Sequence, residues 1–127
     1  MSAILFRVIL PVSNIELAST FYADLFGQPG SRVSSGRHYF QCGETILACY
    51  DPVADKDAEG DGWRFHENQY LYFAIENLES MSEKIQQAGG KVTSSIKSMP
   101  WGERMFYALD PFGNPISFVD KTTVFRG

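Results

Sequence analysis

The chain has 127 residues, a formal net charge of −4 at neutral pH and two cysteines. A chain of that length is one domain, burying roughly two-thirds of its unfolded surface, so a real core is expected without a covalent staple. The acidic balance and the lack of clustered Lys and Arg exclude general nucleic-acid binding, and no apolar run reaches membrane-spanning length.

In chain order, the apolar opening Ile4-Leu5-Phe6 is broken by Arg7 and Pro11, and no small-residue cleavage site follows, so the cytoplasm is the expected location. Arg7-Val8-Ile9-Leu10-Pro11-Val12 reads as a strand. Asn14 can cap a helix, because its side-chain oxygen can accept an unpaired first-turn N–H. Ile15, Ala18, Phe21, Tyr22 and Leu25 then recur at helical spacing, and Gly27 supplies a left-handed stop. Arg37-His38-Tyr39-Phe40 leads through Gly43-Glu44-Thr45 to Ile46-Leu47-Ala48-Cys49-Tyr50, a hairpin. Cys42 and Cys49 fall on its successive strands, too far apart for the roughly 7 Å Cα limit on bridging, and are expected as free thiols. Residues 51–62 form a linker with five acids and one Lys; a solvated hinge is the simpler reading than a lure for a cationic ligand. Trp63 and Phe65 directly after it suggest a lid or a dimer contact.

The second half repeats this order about 63 residues on. Tyr70-Leu71-Tyr72-Phe73-Ala74-Ile75 is a strand, Asn77 a cap, and Leu78, Met81, Ile85 and Ala88 mark a helix that ends at Gly89-Gly90. Strands are expected at Lys91-Val92-Thr93-Ser94-Ser95-Ile96, at Arg104-Met105-Phe106-Tyr107 and, after the turn Asp110-Pro111-Phe112-Gly113-Asn114, at Pro115-Ile116-Ser117-Phe118-Val119. The reading is an α+β fold of two tandem βαβββ units in a single domain over 1–127: unit one about 4–50, a linker about 51–66 and unit two about 67–121.

Pro11-Val12-Ser13-Asn14, Phe21-Tyr22, Leu25-Phe26-Gly27, Ala88-Gly89-Gly90, Trp101-Gly102 and Asp110-Pro111-Phe112-Gly113-Asn114-Pro115, taken in order on a duplicated unit, resemble the glyoxalase, bleomycin-resistance and extradiol-dioxygenase superfamily, the vicinal oxygen chelate proteins. The resemblance covers nearly the whole chain. It implies curved sheets enclosing a concave cleft with helices outside, and a homodimer, since members commonly complete the cleft across two chains.

Strand parity then locates the cleft face. Val8, Leu10 and Val12, with Leu71, Phe73 and Ile75, are assigned to the helix side, as are Ile46, Ala48, Ile116 and Phe118. Arg7, Ile9, Pro11, Tyr70, Tyr72 and Ala74, with Leu47, Cys49, Ser117 and Val119, are assigned to the cleft. Metal-dependent members of the family take His, Glu or Gln ligands at positions that correspond to Arg7, Leu47, Tyr70 and Ser117. None of these is a credible ligand, and a protonated guanidinium has no lone pair to offer. The resemblance is therefore to the metal-free, bleomycin-resistance-like branch, which implies a small-molecule binding or drug-sequestering protein with no metal and no cofactor. Arg7, Ile9, Leu47, Cys49, Tyr70, Tyr72, Trp101 and Ser117 are the expected ligand-binding residues. Arg7 either receives an anionic or carbonyl group or pairs with a carboxylate such as Glu103. Tyr70, Tyr72 and Trp101 could stack on a planar, aromatic ligand. Two alternatives stay open: a metal enzyme with unusual ligands such as His38, His66 or Glu44, and a cofactorless lyase or dioxygenase with Arg7 as electrophile. His38 is more simply an ordinary sheet histidine.

Overall fold

The computed structural model describes residues 2–59 and 66–127. The chain divides into two compact units, residues 1–65 and 66–127. Both are α+β, and each carries one helix on a mixed sheet.

Unit one runs β1 (Arg7–Pro11), α1 (Ile15–Phe26), β2 (Ser31–Ser34), β3 (Arg37–Cys42) and β4 (Thr45–Tyr50), in sheet order β1-β4-β3-β2. The helix starts where Asn14 Oδ1 accepts the Leu17 N–H at 3.0 Å, and it stops at Gly27, whose φ of 64° lies in the left-handed region that a Cβ disfavours. Its apolar stripe, Ile15, Ala18, Phe21, Tyr22 and Leu25, is buried. Phe40 of β3 meets that stripe, its ring centroid 6.2 Å from Tyr22 and 5.6 Å from Phe26. Cys42 and Cys49 are free thiols.

Unit two runs β5 (Leu71–Ile75), α2 (Leu78–Gln87), β6 (Lys91–Val92), β7 (Lys97–Ser98), β8 (Arg104–Leu109) and β9 (Pro115–Asp120). The order is β5-β9-β8-β6, with β7 also on β8. Asn77 Oδ1 accepts the Ser80 N–H at 2.9 Å, repeating the first cap. Phe106, Phe118 and Phe73 stack in one row, at 5.5 and 5.4 Å between centroids. The single strand expected over 91–96 is split, because the Ser94 hydroxyl takes the Tyr107 N–H at 2.9 Å and interrupts the backbone ladder.

The linker also departs from a solvated hinge over its described part. Asp55 accepts from the Ser34 hydroxyl, the Gly36 N–H and the Arg37 guanidinium, while Tyr50 donates to Asp57. Arg37 lies over the Tyr50 ring at 4.1 Å. The acids after β4 therefore fasten the segment to unit one. Residues 60–65, including Trp63 and Phe65, lie outside the described residues.

Candidate functional site

Each sheet has one face against its helix, and the other face is where site residues must lie. In unit one, Phe40 sits on the helix side and pairs with Leu47, while His38 pairs with Cys49. Directly opposed residues share a face. Leu47 and Cys49 are thus on the helix side, where they are buried, and their assignment to the cleft is corrected. The opposite face carries three rows across β1, β4 and β3: Arg7-Ile46-Gln41, Ile9-Ala48-Tyr39 and Pro11-Tyr50-Arg37. Ile46 and Ala48, expected toward the helix, belong here.

The error has a physical origin. The hairpin loop is two residues long in unit one, between Cys42 and Thr45, and five in unit two, between Leu109 and Pro115. That difference is odd, so parity read on one copy does not transfer by counting to the other. Pairing with the first strand settles it: Val8 lies beside Leu47, and its repeat Leu71 lies beside Ile116. The counterpart of Ser117 is therefore Ala48.

Unit two is as the parity reading had it. Tyr72, Ser117 and Tyr107 form one row, and Ala74, Val119 and Met105 the next, on the face away from Phe73 and Phe118. Tyr70 packs edge-on against Tyr107 at 5.6 Å. The Ser117 side chain is fully buried, and its hydroxyl has no hydrogen-bond partner among the described residues. Partial burial, then the hydrogen bond with Tyr107, pushes the Tyr72 hydroxyl up to about 12, so it remains a donor throughout the physiological range.

Among the described residues, each of these faces carries an open cavity. The first, about 390 Å³, is bounded by Pro29, Gly30, Val33, Tyr39, Gln41 and Ile46. Arg7 stands nearby, exposed, its guanidinium carbon 5.0 Å from the Phe6 ring centroid and 5.5 Å from that of Tyr39. The second, about 480 Å³, is bounded by Tyr72, Ala74, Glu103 and Val119 together with Val124 and Phe125. Glu103, which sequence reasoning offered only as an ion-pair partner for Arg7, is held inside unit two by the Trp101 indole N–H at 2.7 Å and the Phe125 N–H at 2.9 Å. Trp101 is half-exposed, and its polar contact is to this carboxylate.

His38 is taken up by structure. Its Nδ1 accepts from the Arg32 Nε–H at 3.2 Å and its Nε2 lies 2.8 Å from the Pro29 carbonyl oxygen, so both ring nitrogens are engaged within unit one. His66 and Glu44 are exposed. Among the described residues no three His, Cys, Asp or Glu side chains come together as a metal site would require.

The sequence profile of the Glyoxalase/Bleomycin resistance protein/Dioxygenase superfamily matches residues 4–118. The chain belongs to that superfamily. No curated protein matched it. Similar solved structures include a glyoxalase/bleomycin resistance protein from Albidiferax ferrireducens T118, with 21% identity, TM-score 0.75 and 91% of this chain and 97% of that chain covered. A glyoxalase-related enzyme from Fulvimarina pelagi has 17% identity and TM-score 0.76, covering 96% and 91%. A lactoylglutathione lyase from Agrobacterium tumefaciens has 21% identity and TM-score 0.71, covering 98% of both chains. At these identities the likeness is one of fold. The family resemblance would put the metal ligands of this chain at Arg7, Tyr70, Ser117 and, with the strand register corrected, at Ala48 in place of Leu47. A guanidinium, a methyl, a phenol and a hydroxyl do not fit a zinc, iron or manganese centre.

Proposed function

We propose that this superfamily member is a metal-free small-molecule binding protein, of the kind that sequesters a toxic compound. The observation that carries the reading is the content of the two helix-free faces: Arg7, Ile9, Ile46 and Ala48 in unit one, and Tyr70, Tyr72, Tyr107 and Ser117 in unit two. These residues suit recognition. Aromatic walls supply stacking area, hydroxyls fix orientation, and an exposed guanidinium takes an anionic or carbonyl oxygen.

The cavity volumes, about 390 and 480 Å³, lie in the range of small-molecule sites. Exposed Ile4, Leu5 and Phe6 beside β1 support a homodimer as part of the same proposal. The reading is tested by a thermal-shift screen of planar compounds, followed by isotope-edited NMR of hits. Hits should perturb Tyr39 and Ile46 on the unit-one face or Tyr72 and Val119 on the unit-two face, and leave Leu47 and Cys49 largely unmoved. A ligand that instead perturbed only the helix-side residues would refute the assignment of the binding faces.

A further inference from the structure

Glu103, at the foot of β8, is buried and borders the cavity of unit two. Its Oε1 accepts from the Trp101 indole and its Oε2 from the Phe125 amide, both neutral donors. No cation forms an ion pair with it among the described residues. A carboxylate presents about four lone-pair sites, so two N–H groups leave it only partly satisfied. Negative charge removed from water is costly unless an opposite charge answers it.

The surroundings are matched to a cation with an apolar body. Tyr72 and Phe125 border the cavity with ring surfaces that attract positive charge, and Ala74, Val119 and Val124 complete an apolar wall. Arg126 also borders the cavity, but it is exposed and makes no ion pair with Glu103. Two residues along β9 from Val119, on the same face, the buried Ser117 hydroxyl is unpartnered among the described residues.

We infer that the unit-two cavity takes a small molecule bearing a protonated amine or guanidinium, whose charge pairs with Glu103 while its apolar part lies against Tyr72 and Phe125. The inference rests on the metal-free binding reading and names the charge class of its ligand.

The test uses three probes of one shape, benzylamine, benzyl alcohol and benzoate, titrated into the full chain at millimolar concentration and followed by the methyl resonances of Val119 and Val124. Benzylamine should bind saturably and more tightly than benzoate by at least about tenfold, ~1.4 kcal/mol. Glu103→Gln should erase that preference, with a thermal melt to show that the variant is folded. Benzoate binding as tightly as benzylamine, no saturable benzylamine binding, or a preference that survives Glu103→Gln would each overturn the inference. The wild-type series stands without any variant. Near-stoichiometric metal retention would remove the metal-free reading and leave the amine preference intact, so the two failures are distinct.

Discussion

Arg7 is exposed at the head of β1, against two rings and with no ion pair among the described residues. Arg7→Ala should therefore lower the stability of the ligand-free protein by only about 0.5–1 kcal/mol, the scale of an exposed cation–π contact. Binding of a ligand oxygen should weaken by more, ~1.5–3 kcal/mol. Melts of wild type and variant with and without a screened ligand separate the two effects; a large loss without ligand at unchanged affinity would contradict the binding role. Asp55 gives a second prediction at this scale. Its hydrogen bonds to Ser34 and to the Gly36 amide, with the Arg37 charge, hold its carboxyl below the usual range against the opposing effect of burial. A depressed folded value means that its contribution is fully present above the unfolded value of about 3.9 and fades as pH falls through the lower folded value. Denaturant melts should show Asp55→Asn less stable than wild type near neutral pH, with the gap closing below about pH 4. A gap that persisted unchanged into acid would contradict this ionic anchoring. Residue chemistry was legible in the sequence where it depended on type and local spacing, as with the free thiols of Cys42 and Cys49. It was illegible where partners came from afar, as with Glu103, which receives its donors from Trp101 and from Phe125 across 22 residues.

The helices, by contrast, could be read from the chain because their signals are local. Asn14 and Asn77 cap as expected, and the first-turn acids Glu16 and Glu79 reach Arg32 and Arg104 at 2.8 and 2.5 Å in their respective units. Replacing either Asn by Ala should cost about 1 kcal/mol, measured by chemical denaturation. Wild-type stability in both variants would remove the caps from the account. Strand facing was less accessible, since it depends on register with a partner strand and on loop length, and that is where Leu47 and Cys49 went astray. The turn into β2 shows another constraint the sequence hides. At Gly30, with φ of 66°, an added Cβ would sit 2.7 Å from the Tyr39 carbonyl oxygen and 2.8 Å from His38 Nε2. Gly30→Ala should thus destabilise by about 1–3 kcal/mol and disturb the neighbouring unit-one cavity, visible as a lowered melting temperature.

Duplication governs the whole molecule. In both units the first strand runs parallel to the last and the helix covers the same relative face, so two copies of one pattern offer two comparable helix-free faces. The order of elements was therefore recoverable from the repeat alone, whereas the cavities depend on turns and on the segment after β9 that lack repeat counterparts. If exposed Ile4, Leu5 and Phe6 pair two chains, sedimentation at micromolar concentration should give a dimer, and a monomer throughout would contradict that pairing. The metal question bears on every reaction the superfamily performs with a Lewis acid, because such chemistry needs ligands with lone pairs on these faces. The most direct measurement is metal retention. Protein purified without chelator, loaded in turn with nickel, zinc, manganese and iron and then desalted, should keep well under one ion per chain; near-stoichiometric retention of any of them would contradict the metal-free account.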